Sequence, residues 1–337
     1  VRPRVTVALL ALLLLAAALL SVLAGRYFLS PLQLWATLSQ VLGGAPTITD
    51  SPAHAVVFGV RLPRILAAIL VGAGLSASGA AYQGIFKNPM VSPDLLGASA
   101  GASFGVALGI LLGLPIGGIQ VAAFVAGLVA VALTCAISAR VARGQDSALV
   151  MVLSGIVVGS VFISLVTLIK SVADPYSKLP AITFWLMGSL SAVTASDVAF
   201  LAAPILAGLV PLLLLRWRLN ILTLGDEEAR ALGIHTSRLR LVIIVCSTLI
   251  TAVAVAVSGV VGWVGLVIPH LARLLVGPDY RVLMPASVLL GGIFLVLVDD
   301  VARSALATEI PLGVLTSLIG APFFIYLLAR VRKGWWA

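Results

Sequence analysis

The side chains able to do chemistry are few in this sequence, and their spacing excludes more than it offers. The four lysines, Lys87, Lys170, Lys178 and Lys333, are preceded by Phe86, Ile169, Ser177 and Arg332. None follows a glycine, so the chain has no GxxxxGK[ST] loop to cradle a nucleotide's phosphates. His54, His235 and His270 are scattered without metal-ligand spacing, and no serine stands in a GxSxG elbow. Cys135 and Cys246 both lie in apolar runs, where a thiol behaves as a small hydrophobe. Twelve acids spread over loops complete the inventory. The chain reads as no enzyme, with no metal site and no cofactor of its own.

Five segments carry polar information instead. Arg61-Leu62-Pro63-Arg64 opens an apolar run, with Pro63 suited to a first helical turn. Its two arginines admit two readings: cations snorkelling from a helix end to the headgroups, or docking points for an acidic surface. Gly79 to Gly97 contains Asn88-Pro89-Met90 and Ser92-Pro93, which are good turn formers and also candidates for non-helical backbone lining a pathway. Gly225-Asp226-Glu227-Glu228-Ala229-Arg230-Ala231-Leu232-Gly233 reads as a short amphipathic helix bracketed by glycines, with Asp226 and Glu227 at helical spacing from Arg230. It is either a plain surface helix or a handle for another subunit. In Gly262 to Arg273, Pro269 is expected to interrupt a helix, and His270 to pack between helices. Asp299 and Arg303 stand at i and i+4, so local ion pairing competes with docking for Arg303.

The elements that must hold these residues follow from composition. Of 337 residues, 61% are hydrophobic and only 10% charged, against about 25% charged in a soluble domain. The chain is an all-α polytopic membrane protein, a single transmembrane domain over 1–337. Spans of about 20 apolar residues are expected at Val5–Gly25, Ile65–Phe86, Ser147–Ile169, Val198–Leu215, Val282–Val298 and Ile310–Ala329. Leu95–Ala139 is long enough for two, with a turn at Gly113-Leu114-Pro115. Leu241–Ala272 is expected to form a full helix, a break near Ser258-Gly259 to Gly265, and a shorter helix to about Val276. That makes ten transmembrane helices. Val5–Leu23 is longer than a leader's apolar region and is expected to be retained as a span.

Orientation follows from the basic residues, which collect on the cytoplasmic side. Ten spans put both termini on one side, where Arg2, Arg4, Arg330, Arg332 and Lys333 lie. Fifteen of the 21 basic residues fall on that side, and the twelve acids divide equally, so the whole net charge of +9 is cytoplasmic. The basic balance is topological and gives no argument for nucleic acid. Arg26, Arg61, Arg64 and Arg303 stand against the trend on the other face. A weak inverted repeat is also visible: Arg61 to Arg64 with Ser78-Gly79 downstream echoes Arg238-Leu239-Arg240 with Ser258-Gly259 downstream.

These segments, with Phe184–Leu190 (FWLMGSL), Gly265–His270 (GLVIPH) and Gly320–Phe324 (GAPFF), resemble the FecCD-like permeases of bacterial type II ABC importers, which carry iron chelates, haem and cobalamin. The resemblance runs from about Val60 to Ala329. It implies the ten-helix importer permease fold, a homodimer with the pathway on its two-fold axis, two cytoplasmic ATPase subunits that supply the hydrolysis, and a periplasmic or lipoprotein binding protein. It implies an inner (plasma) membrane location with lipid all round. Arg61, Arg64 and Arg303 would meet glutamates of the binding protein. Residues 222–237 would be the coupling segment seated in the ATPase, through Gly225, Asp226, Glu227, Glu228, Ala229, Arg230, Leu232 and Gly233. Asn88, Pro89, Met90 and Ser147 would form the cytoplasmic gate, with Met90 where the family usually has Leu, a volume-conserving change. ATP-driven closure of the coupling segments would then alternate a wide, weakly sticky cavity between the two sides, importing a large iron chelate (ferric siderophore or haem). The alternatives are cobalamin as cargo and, in a different class, an autonomous secondary transporter, which would need ionisable residues deep in its spans.

Overall fold

The computed structural model describes residues 3–25, 27, 30–42, 52–142 and 147–331. Among the charged residues that orient the chain, Arg2, Arg26, Arg143, Arg332 and Lys333 lie outside the described residues, as do the side chains of Arg4, Ser147 and Arg330. The described residues are helical, without strands: α1 (Pro3–Leu23), α2 (Pro31–Leu42), a continuous rod made of α3 (Pro52–His54), a π-helical stretch (Ala55–Arg61) and α4 (Leu62–Ile85), then α5 (Ala98–Leu111), α6 (Ile116–Val141), α7 (Ser147–Val172), α8 (Lys178–Met187), α9 (Ala195–Leu214), α10 (Arg216–Leu224), α11 (Asp226–Ala231), α12 (Thr236–Ser258), α13 (Val264–Val276), α14 (Tyr280–Ser304) and α15 (Leu312–Val331).

Seven of these helices are long and apolar enough to cross a membrane, and three shorter apolar ones, Ala98–Leu111, Val264–Val276 and Leu312–Tyr326, accompany them. The long run expected to hold two spans divides into α5 and α6 around Gly113, whose φ of +70° suits a residue without Cβ. The break expected after Ser258 is also present, between Gly259 (φ +67°) and Trp263 (φ +69°). Pro269, however, does not interrupt its helix. It is the sixth residue of α13, so the only carbonyl its missing N–H leaves without a helical donor is that of Gly265.

That carbonyl faces Gly79, where an added methyl would lie 1.8 Å from it. A methyl at Gly72 would likewise lie 2.1 Å from the carbonyl of Gly291 in α14. Such backbone-to-backbone approach is how helices associate where the surroundings are as apolar as the side chains. It explains the Gly, Ala and Ser content of α4, a hub buried along nearly all its length among α9, α12, α13 and α14. The molecule has two ends. One gathers the C-termini of α1 and α14 with the start of α4. The other gathers the C-terminus of α4 with α10, α11 and the starts of α12 and α14. The helices of the sequence echo, α4 and α12, pack together and run in opposite directions between these ends.

Candidate functional site

At the first end, the three arginines expected at a rim are turned inward. Arg61, the last residue of the π-helical stretch, is only 3% exposed. Its guanidinium donates to the carbonyls of Val22, Leu23 and Tyr27, capping the C-terminus of α1. Those carbonyls have no helical donor of their own, so the cation also sits where the helix dipole favours it. Arg64 is buried in a cage of two carboxylates. Its Nε donates to both oxygens of Asp299 at 2.9 and 2.8 Å, and its terminal nitrogens donate to Glu309 at 2.8 and 3.1 Å. Asp299 is 2% exposed and Glu309 29%, so one carboxylate is sealed in and the other stands at the surface.

Arg303 binds Asp300, the carbonyl of Ser21 (2.6 Å) and the Ser21 hydroxyl (2.7 Å). The expected i,i+4 pair with Asp299 is the longer contact, at 3.8 Å, because Arg64 already occupies both Asp299 oxygens. Together these bonds tie α1, α4 and α14 into one corner. Arg61, Arg64, Arg303 and Glu309 also line a recess of about 210 Å³ that opens to the surface.

At the second end, α4 gives way to an exposed turn. The Asn88 side-chain oxygen accepts from the Met90 N–H at 2.9 Å, an Asx-type turn, and Lys87 sits at φ +49°. Asn88 and Met90 face outward and Pro89 is half-buried. Ser147 starts α7. Gln83, one turn earlier on α4, donates to the carbonyl of Leu266 and accepts from Arg273, which joins the turn to α13. His270 is 8% exposed, its ring 6.2 Å from that of Phe323, so it packs as expected.

Gly225 and Gly233 do bracket a short helix, α11. The pairing expected inside it is replaced: Asp226 bonds Arg240 of α12 at 2.8 Å, and Arg230 makes no ion pair with the described residues. Six residues make under two turns, so Arg230 sits at the frayed end, whereas Arg240 reaches across from a long helix. Only Ala229 of α11 is buried. Leu224 and Leu232 beside it are 65% and 61% exposed, next to exposed Glu227, Glu228 and Arg230. The element is a knob with an apolar tip.

A third feature escaped the sequence reading, although its spacing was legible. Ser160, Ser164, Thr167 and Ser171 fall at i, i+4, i+7 and i+11 on α7, all exposed. Each hydroxyl is bonded back to a carbonyl of its own helix, at 2.7–3.0 Å. Exposed Val157, Val161 and Leu168 flank the stripe. The result is an open, uncharged, weakly polar face on a helix long enough to span a bilayer.

The FecCD transport family matches residues 13–330. The molybdate import system permease protein MolB of Haemophilus influenzae is 42% identical over 96% of this chain and 95% of its own. A probable iron chelatin transport system permease protein of Helicobacter pylori is 42% identical over 82% of this chain and 83% of its own. Among solved structures, one described as an inward-facing conformation of an ABC transporter assigned to the metal-chelate type superposes with a TM-score of 0.86. It is 40% identical and covers 96% of this chain and 98% of its own. With the helices, turn and arginine cluster lying within the matched residues, this chain belongs to the FecCD transport family.

Proposed function

We propose that this chain is the transmembrane permease subunit of an ATP-driven importer, and that its cargo is a metal chelate, an iron chelate first. The observation that carries the reading is the hydroxyl stripe of α7. A spanning helix that faces only lipid gains nothing from a row of Ser and Thr. The same row suits one wall of a water-filled path that a second copy of the chain completes. Because each hydroxyl already bonds its own helix, the wall binds weakly, as a conduit for a large, ligand-wrapped metal must. The ten-span count, with the three shorter apolar helices crossing beside the seven long ones, belongs to this reading. So do cytoplasmic termini and the homodimer.

The two ends then take different partners. The knob at Gly225–Gly233 seats in an ATPase subunit, with Leu224 and Leu232 as its apolar anchors. Asn88, Pro89, Met90 and Ser147 form the gate at that cytoplasmic end. At the other end the recess backed by Arg61, Arg64 and Arg303 receives a carboxylate of the binding protein. Glu309 holds Arg64 in the meantime and is the group that carboxylate displaces.

Reconstitution with the cognate ATPase and binding protein in liposomes tests the reading. ATP-dependent uptake of a ferric chelate is expected. Uptake driven by an ion gradient without the ATPase, or no uptake of any metal complex, overturns it. Preference for molybdate, haem or cobalamin would keep the importer and replace the cargo.

A further inference from the structure

The arginines at the second end fall into two groups. Arg240 is paired with Asp226, Arg281 with Asp279, and Arg273 with Gln83. The Asp279 carboxyl is held below its usual range. Burial opposes this, but hydrogen bonds from the Arg281 N–H, Asn220 and the Arg281 guanidinium outweigh it. Arg216, Arg218, Arg230 and Arg238, in contrast, make no hydrogen bond or ion pair with any described residue. Two of these four face one cavity.

That cavity, of about 550 Å³, lies where α9 passes into α10 and α12 begins. Arg218 and Arg238 line it with His235, and no carboxylate does. Its other walls are apolar: Leu215, Leu232 and Val242 among them. Trp217 stands at its edge, 53% exposed, between this cavity and a second one of about 640 Å³ that holds Arg216 and Val7. Below the arginines the apolar wall continues without interruption down the outer faces of two spanning helices. Leu214 is 78% exposed, Leu241 58%, Val242 41% and Val245 49%. Cations, an indole at the helix ends and a greasy track below them form one continuous surface.

We infer that this cavity is a binding site for an anionic phospholipid of the surrounding leaflet, with the headgroup phosphate on Arg218 and Arg238 and an acyl chain along Val242 and Val245. Charge complementarity selects the occupant. Two unpaired guanidiniums without a carboxylate favour a phosphate of net negative charge, and they offer no acceptor to the ammonium of a zwitterionic headgroup. A tryptophan at the level of the cations is where an indole sits at a bilayer surface. The exposed apolar track supplies the second half of an amphiphile's contact, which a free phosphate would not use. A lipid here touches Leu232 beside Gly233 (φ +78°), the joint between α11 and α12. It therefore braces the base of the knob from the membrane side. The site itself requires only that α9 and α12 span a bilayer, so it does not depend on the transport reading.

The full chain, purified in mild detergent and titrated with phosphatidylglycerol or phosphatidylcholine under native mass spectrometry, tests this. Phosphatidylglycerol is expected to be retained in preference to phosphatidylcholine, and R218A/R238A is expected to lose that preference by roughly thirtyfold, at about fivefold per basic side chain near an anionic surface. R140A, which removes an exposed arginine outside the cavity, should leave the preference unchanged. Equal retention of the two lipids, or a preference that survives R218A/R238A, overturns the site. The alternative occupant is the ATPase subunit. If the assembled transporter excludes phosphatidylglycerol that the chain alone retains, the cavity is a protein interface and the inference fails, whatever the cargo proves to be.

Discussion

Two sets of arginines at opposite ends of one helical bundle have opposite fates. Arg61, Arg64 and Arg303 are under 10% exposed, and every one is bonded to the protein itself. Arg216, Arg218, Arg230 and Arg238 are exposed and bonded to nothing described. Sequence alone makes the first set look like free cations against the charge trend and the second like ordinary topological charge. The structure reverses the emphasis. A buried, saturated cation is part of the scaffold and reaches a partner only by exchanging one carboxylate for another. An exposed, unsaturated cation has its partner still to come.

The sharpest break of this comparison is Arg64→Ala. It would strand Asp299, 2% exposed, without its two charge-assisted bonds. Removing one member of a buried pair costs about 3–5 kcal/mol, so thermal unfolding in detergent should drop well below the wild type or the chain should fail to fold. Arg64→Met with Asp299→Asn should recover much of that loss. An Arg64→Ala protein as stable as the parent would show that the first set is not scaffold. Arg303→Ala comes next. It removes the bonds to Ser21 but leaves Asp300 partly hydrated, so about 1.5–3 kcal/mol is expected by the same measurement.

Glu309→Gln separates scaffold from docking. At 29% exposure its bond to Arg64 is screened, and the stability change should stay within about 1 kcal/mol. Affinity for the binding protein should rise severalfold, because the internal competitor for Arg64 is weakened. A fall in affinity, measured by surface plasmon resonance, would place Glu309 on the partner's side of the contact instead. The smallest effect belongs to the second set. R218A/R238A should shift unfolding by no more than about 0.5 kcal/mol. A larger loss would mean that those arginines are structural after all.

What was legible in the sequence was whatever depends on neighbours along the chain. Uncharged runs located the long spans, and Gly113, Gly259 and Gly233 marked turns by a conformational demand that lies within the residue. The bracketed helix α11 was legible for the same reason. What was illegible depended on distant partners. Asp299 and Glu309 lie 235 and 245 residues from Arg64, so no local pattern could say that it is enclosed. The Asp226–Arg230 pairing failed because Arg240, a residue of the next helix, competes for the same carboxylate. The break expected at Pro269 failed because Gly79, on another helix, leaves room for the carbonyl that proline releases. Amphipathic α2 and short α8 were missed because neither is long or apolar enough to register as a span.

The contacts at Gly72 with Gly291 and Gly79 with Gly265 have a mechanical corollary. Where main chain rests on main chain there is no side chain to rotate aside, so the joint neither compresses nor finds a second packing. Helices α4, α13 and α14 must therefore travel as a keel, one stiff body through the middle of the protomer. Any opening or closing of the molecule is left to its flanks, where α7 presents a face that its own fold does not cover.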